Sequence, residues 1–480
     1  MIRLHFALLL SCLGCSSILG LDDYQDQVQT GAGGSGDGGS GTGGAATRVV
    51  WNVRLGDSGN TTATGVAVND DGSIVVVGMF DESITFEGDP VVVNTPHLYV
   101  AKLDASGAPI WGKTFDAGGD ARPRVAVLPT SIFVAGAIHQ ATNFGTGPLT
   151  NQGGSDVLLL MLTQDGELVD AGAWGTNGDD YASDVVTKGT YAIMCGDYGA
   201  GATGPPGLVF GSELALNGNG TSNGFVVELR QDFYEMWSES VGAYSASSSS
   251  SRRVASGPRG IALSGSFNGT VNFDGTEKTS GAADDLYAWT MDDEQGVGNW
   301  VVEFGSTAAQ VAPNIAVDNS GNLALAGKID GEVDFAGTVN AIGTANTTSL
   351  YVLSLAASDG VALSHVVLGT GDGNLEVAAD SANDIVVAGA FEGMLDGLDG
   401  SVSSQGTDVI IARMHRYTDA FVLDWLLAGG DGEYQAANDV ALGAADVVVA
   451  GSFDGSLALD VTNELVSEGG LHAFVAKLQR

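Results

Sequence analysis

The sequence predicts an all-β fold, a seven-bladed β-propeller of four-stranded antiparallel blades, and three observations carry that prediction. From Arg48 onward apolar and polar residues alternate with the period of strands, and no stretch keeps a helical period. A glycine then follows an apolar run seven times, at Gly78, Gly136, Gly196, Gly265, Gly327, Gly389 and Gly451. Two residues beyond each stands an apolar side chain: Phe80, Ile138, Tyr198, Phe267, Ile329, Phe391 and Phe453. A second series runs Gly56, Asp116, Gly175, Gly242, Gly305, Gly369 and Gly430, at spacings of 60, 59, 67, 63, 64 and 61 residues. Five residues before its members stand Trp51, Trp111, Asp170, Trp237, Trp300, Ser364 and Trp425. A period near 60 with room for four strands is that of a propeller blade.

The chain begins with MIRLHFALLLSCLGCSS: one basic residue, Arg3, an apolar run from Leu4 to Leu10, then small residues before a cysteine. That order is a signal peptide's, and the run is too short to span a bilayer. LGCSS resembles the lipobox of bacterial lipoproteins, in which the cysteine becomes the lipidated first residue. The resemblance makes residues 1–15 a signal peptide with lipobox and Cys15 the lipidation site, with Cys12 in LLSC as the alternative. Ser16 after the cysteine implies the outer membrane or cell surface rather than retention. Two lipid chains would anchor the protein stably. Ordinary secretion, or a misassigned start codon, is the competing reading. Residues 16–47 run into GAGGSGDGGSGTGGAAT, a Gly/Ser-rich flexible linker, and residues 48–480 hold the propeller.

In the first blade TGVAVND, SIVVVGMF, LYVAKLD and PIWGKTF read as four successive strands, with DESITFEGDPVVVNTP forming a short extra hairpin between the second and third. A glycine recurring inside a strand implies close backbone approach or a bulge. The recurring tryptophan is expected to pack between blades. The chain stops at LHAFVAKLQR, a third strand without a fourth, and RVVWNVRLG is a fourth strand without a blade before it. Paired, the two complete the seventh blade and remove the open sheet edges.

Composition bounds what the chain binds. Lys+Arg 18 against Asp+Glu 58 gives a formal net charge of −40, which repels nucleic acid and anionic lipid and favours cations or basic partners. Of the three cysteines, Cys195 in YAIMCG reads as a buried free thiol.

The motifs that match catalytic patterns have blander readings. Gly107 to Thr114 fits the phosphate-loop pattern, but that chemistry needs a loop opening a helix, and here a strand follows. Gly56-Asp57-Ser58-Gly59-Asn60 resembles a serine-protease nucleophile loop without a base nearby. LDASGAPIW is similar to the repeat of quinoprotein dehydrogenases, which use eight blades, so only the blade grammar carries over. His97, Asp156, Asn223, Asp285, Ser349, Asp408 and His472 begin the third strands and read as turn caps. No catalytic residue and no metal cluster of standard spacing is predicted. The loops between the fourth strand and the next blade place Asp57, Asp120, Asp180, Asp372 and Asp431 beside glycines. They are the candidate binding face: converging carboxylates there would favour Ca²⁺ or a basic partner, and solvated turns are the alternative. Otherwise no cofactor is expected. The serine run Ser247 to Ser251 reads as a mobile connection.

The patterns V-A-V, V-V-x-G-x-F and V-A-K-L-D-x-x-G-x-x-W over residues 48–480 resemble the bacterial SBBP-type seven-bladed β-propeller repeat surface lipoproteins. The resemblance implies a membrane-anchored, monomeric, non-catalytic binding or scaffold module at the cell surface. Its partner would be an extracellular protein or glycan, and it would touch the membrane only through its lipid. The rival is an exported hydrolase or lyase with a site in the central funnel, for which the third blade, with GAGATGPPG, is the place. Clustered His, Asp and Arg in the funnel would favour the enzyme, and a shallow acidic face the binding module.

Overall fold

A computed structural model describes residues 30–31 and 48–480, apart from 200–206, 212–214, 217, 282, 307, 309, 334, 336–341, 381–383, 398–399, 418–419 and 461–462. Cys12, Cys15 and the lipobox lie outside the described residues, as does most of GAGATGPPG. The described residues form strands and turns without a helix.

The strands follow one another as antiparallel meanders. Thr61–Val68, Ile74–Phe80, His97–Leu103 and Pro109–Phe115 make one four-stranded sheet, and Arg124–Leu128, Ser131–Ile138, Asp156–Thr163 and Leu168–Trp174 the next. Asp180–Lys188, Tyr191–Gly199, Ser222–Leu229 and Glu235–Ala243 form a third meander. It touches a fourth, Ser248–Gly257, Gly260–Asn268, Asp285–Met291 and Gly298–Phe304, through one parallel pairing of Ser222 with Ser248. In the following sheet Asn314–Val317, Leu323–Val333 and Ile342–Leu355 lead to Ala362–Ala379. That long strand pairs backward through its first half and forward, with Asp384–Gly397, through its second. Asp408–Tyr417 and Ala420–Gly429 continue the order. Finally Gln435–Leu442, Asp446–Phe453 and His472–Gln479 are joined by Val49–Leu55, so the N-terminal strand pairs antiparallel with the C-terminal one. The first strands of successive units touch in order, and Gln435–Leu442 touches Thr61–Val68. The architecture is all-β and propeller-like.

Sequence pattern explains the packing. Phe80, Ile138, Tyr198, Phe267, Ile329, Phe391 and Phe453 are all buried. At five of the seven glycines a Cβ would run into a backbone carbonyl of the neighbouring first strand, such as Thr62 at Gly78 and Ala436 at Gly451, and at Gly136 into that of Ala121 just before the strand. Gly327, whose nearest neighbour would be the Pro313 Cα at 3.4 Å, is the exception. The carbonyl tucks in where the first strand bulges, between Ala63 and Gly65, Ala182 and Asp184, Ser251 and Arg253, and Ala437 and Asp439.

The tryptophans bridge units. Trp51, Trp111 and Trp300 donate Nε1–H to the turn carbonyls of Ala105, Gln164 and Ala357, each 3.1 Å away in the following unit. Each lies over a turn glycine, Gly107, Gly166 or Gly360, whose φ is 86°, 80° or 73°. The extra hairpin of the first unit is present as Ser83–Ile84 paired with Val91–Val92.

One expectation is corrected. The serines from 248 to 251 are part of the ordered strand Ser248–Gly257, with Ser249 and Ser251 buried. Ser249 Oγ donates to the Val241 carbonyl at 2.5 Å and accepts from Gly224 N–H, and Ser251 Oγ lies 2.9 Å from the Tyr287 hydroxyl. Small hydroxyl side chains suit a crowded strand in which each finds a partner.

Candidate funnel mouth and buried charge cluster

One residue per unit is carried inward by the bulge and glycine arrangement. Gly65, Arg124, Asp184, Arg253, Asn314, Glu376 and Asp439 each pair with the residue that precedes the recurring glycine. With Arg252, displaced by its bulge, they give three cations and three carboxylates in the space the first strands enclose.

These charges satisfy one another. Arg253 forms a two-point pair with Glu376, Nε to Oε2 at 3.2 Å and Nη2 to Oε1 at 2.6 Å, with the side chains 8% and 4% exposed. Arg124 lies 3.5 Å from Glu376 and 3.8 Å from Asp439, and donates to the Asn438 carbonyl at 3.1 Å. Arg252 donates to Asn314 Oδ1 and Asn374 Oδ1. The aspartates tie neighbouring units, Asp184 accepting Val254 N–H at 3.1 Å and Asp439 accepting Val66 N–H at 2.8 Å.

Burial resists ionisation of Glu376, but the guanidiniums of Arg253, Arg124 and Arg252 outweigh it and hold the carboxyl below its ordinary range. Asp439 is pushed up to about 6, burial exceeding the pull of Arg124. Asp184 is raised for the same reason, against Arg253 and Arg124. Arg252 is lowered to about 10 by burial and by Arg253 beside it. None of the described histidines belongs to this group.

Above the cluster opens a recess of about 500 Å³, with Arg124 and Glu376 at its inner side. Its walls come from the strands Thr61–Val68, Arg124–Leu128, Ala362–Ala379 and Gln435–Leu442 and the segments beside them, among them Asn60, Asp81, Asp120, Arg122, Tyr434 and Asn438. Arg122 is held at φ 44°, and its side chain, 78% exposed, pairs with Asp120 at 2.9 Å. Asp81 accepts from both the backbone and side-chain N–H of Asn60, at 2.6 and 2.8 Å.

Of the five aspartates predicted for a loop face, only Asp120 lines this recess. Asp57 accepts from the Thr85 hydroxyl at 2.7 Å. Asp180 is buried, accepts from Thr176 and Gly199, and is pushed up to about 6, chiefly by burial. Asp372 pairs with Lys328 at 2.5 Å. Asp431 accepts from Glu433 N–H, Gln435 Nε2–H and Ser456 N–H. Each thus has a separate partner of its own, and among the described residues no group of three or more His, Cys, Asp or Glu could hold a metal ion.

The third-strand series does cap turns: His97 Nδ1 lies 2.9 Å from the Thr95 carbonyl, and Asp156 and Asp285 accept N–H bonds from Gln152 and Gly281. The other oxygens of Asp156, Asp285 and Asp408 have no hydrogen-bond partner among the described residues and lie against Gly175, Gly305 and Gly430. A side chain at those glycines would collide with them, which explains three members of the second glycine series. Cys195 is buried, as expected, and burial raises its thiol well above the ordinary range.

The charge cluster was missed in the sequence because its members differ in type. The signal was there: Gly65, Arg124, Asp184, Arg253, Asn314, Glu376 and Asp439 are each followed by valine or isoleucine at the same place in the repeat.

No family model matches the chain, and no curated protein does. Solved structures of β-propeller proteins resemble it at low scores. Hydrazine synthase of Kuenenia stuttgartiensis is 12% identical over 81% of this chain and 92% of its own, with a TM-score of 0.43. The quinohemoprotein alcohol dehydrogenase ADHIIG of Pseudomonas putida HK5 is 9% identical over 90% and 76%, with 0.42. The phage phi92 endosialidase is 10% identical over 89% and 69%, with 0.37. At these values the likenesses carry no argument about activity.

Proposed function

We propose that the chain is a seven-bladed propeller of the SBBP type, exported and lipid-anchored, that acts as a non-catalytic binding or scaffold module at the cell surface. The seven-unit reading draws support from the order in which first strands touch, returning from Gln435–Leu442 to Thr61–Val68. The observation behind the non-catalytic reading is the pairing inside the cluster. Sequence reasoning took clustered Asp, His and Arg as the mark of an enzyme; the cluster has Arg, Asp and Glu without histidine. Its central carboxylate, Glu376, is held ionised by three guanidiniums, and Asp184 and Asp439 accept backbone N–H bonds. A general acid or base needs a group free to exchange its proton with substrate. Here each charge is committed to holding units together.

The binding face is the one into which the recess opens, with Asp120 on its wall, and the ligand is an extracellular protein or glycan. A pull-down from extracellular material, with and without a chelator, tests this reading. Specific retention supports it, and a hydrolysed or eliminated product in the eluate refutes it in favour of the hydrolase or lyase. Loss of retention under chelation would show that a divalent cation takes part in binding. For the anchor, a Cys15→Ser variant is expected to leave the membrane fraction; retention there would refute lipidation at Cys15.

A further inference from the structure

The mouth above the charge cluster has walls whose chemistry selects among ligands. A recess of about 500 Å³ has the size of a small-molecule site. Its carboxylates have partners in place: Asp120 pairs with Arg122, Glu376 with Arg253, and Asp81 accepts two N–H bonds from Asn60. A free anion entering would meet Asp81, Asp120 and Glu376 within a chain of net charge −40, and a free cation would meet Arg122 and Arg124. What remains is a mixed lining: the apolar Met79, Pro96 and Leu471 beside amides, hydroxyls and the Arg122 guanidinium, which has donors beyond the one Asp120 takes.

Two further features belong to the same recess. Tyr434 is 44% exposed on its wall, an aromatic side chain that combines apolar ring surface with a hydroxyl. Arg122 has a left-handed backbone at φ 44°, and its side chain, 78% exposed, stands at the rim.

We infer that this mouth is a binding site for a neutral saccharide, with Tyr434 as its aromatic platform, Arg122 donating to sugar hydroxyls and Asn438 Oδ1 accepting from them. A sugar ring matches the wall on both counts, having apolar C–H faces for the tyrosine and a rim of hydroxyls that donate and accept. The inference rests on the binding-module reading and gives it a ligand class.

The test is an array of immobilised neutral and acidic glycans probed with the full chain, followed by saturation-transfer NMR with maltose, cellobiose, lactose and N,N′-diacetylchitobiose. At least one neutral glycan class should be retained. Tyr434→Ala should weaken that binding by about tenfold, whereas Tyr434→Phe and the remote exposed Tyr417→Ala should change it by less than about twofold. Retention of sulfated or uronate glycans alone, retention of none, or equal binding by Tyr434→Ala would overturn the inference. A protein captured on the loop face without any sugar would overturn it while leaving the binding-module reading intact. Cleavage of an array sugar would instead overturn the non-catalytic reading.

Discussion

Replacing Glu376 with glutamine removes one charge from the centre of the molecule while keeping its shape and its capacity to accept hydrogen bonds. In the native protein this carboxylate takes two hydrogen bonds from Arg253 and lies 3.5 Å from Arg124, with its side chain 4% exposed. Without it, three guanidiniums face only Asp184 and Asp439, and Arg253, 8% exposed, has no water to turn to. Breaking one side of a buried pair costs about 3–5 kcal/mol, because the surviving charge stays desolvated and uncompensated. Against a total stability of about 5–15 kcal/mol that is a large fraction. The exposed pair of Lys113 and Glu167, 3.7 Å apart with 40% and 77% exposure, supplies the control: Glu167→Gln should cost less than about 1 kcal/mol.

Urea unfolding at neutral pH measures both, with unchanged slopes showing that the midpoint shift is a stability change. A second variant sharpens the test. Arg253→Met added to Glu376→Gln removes the stranded cation, so the double variant should be more stable than the sum of the single losses by about 1–3 kcal/mol. If Glu376→Gln costs under about 1 kcal/mol, the cluster is not a buried mutual ion pair and the argument against a working carboxylate there fails with it.

Three other perturbations bear on different parts of the structure. Gly78→Ala places a Cβ against the Thr62 carbonyl in a strand with no room to move, and should cost about 3 kcal/mol in the same unfolding assay; a neutral effect would mean the first strand can shift. Deleting residues 49–55 leaves the edge of His472–Gln479 unpaired, so light scattering and size exclusion should show self-association that the intact chain lacks. Asp180, Asp197 and Asp439 are held at about 6 in the folded protein, burial being the first cause, against the ordinary 3.8. The folded state therefore binds more protons at these groups between these values, so their contribution to stability is fully present below about 4 and is lost as pH rises through about 6. Melting temperature should rise as pH falls from 7.5 to 5, and Asp197→Asn should flatten that slope; a falling melting temperature over the same window would contradict the assignment.

What the sequence showed and what it hid divide along a physical line. Gly78, Gly136 and their equivalents answer to one steric demand, a carbonyl tucked against the backbone, so the same residue recurs and the eye finds it. Trp51, Trp111 and Trp300 likewise repeat one contact, an indole over a turn glycine. Arg124, Asp184, Arg253 and Glu376 occupy one geometric position but must differ, since like charges there would repel. A search for repeated identity passes over them. The recess was hidden for another reason: Asn60 and Leu471 lie at opposite ends of the chain and meet only because Val49–Leu55 pairs with His472–Gln479. Low complexity in the serine run does not mean mobility, because Ser249 and Ser251 find partners that only the folded neighbours supply.

Closure of the proposed ring has two distinct supports. Contacts between neighbouring units alone would make the chain quasi-one-dimensional, free to open at any junction. Val49–Leu55 prevents this at the periphery by joining the chain's ends in one sheet. The charge cluster prevents it in the middle, because its bonds skip units: Arg253 of the fourth reaches Glu376 of the sixth, and Arg124 of the second reaches Asn438 of the seventh. A junction cannot open without stranding charge on both sides. The two supports therefore act on the same event, and their losses should not be independent. Glu376→Gln introduced into the chain lacking residues 49–55 should cost measurably less, by at least about 1 kcal/mol, than in the intact chain, since the junction it helps to hold is already released. Strict additivity in urea unfolding would mean that cluster and strand stabilise separate parts of the molecule, and that the units do not form one closed cooperative ring.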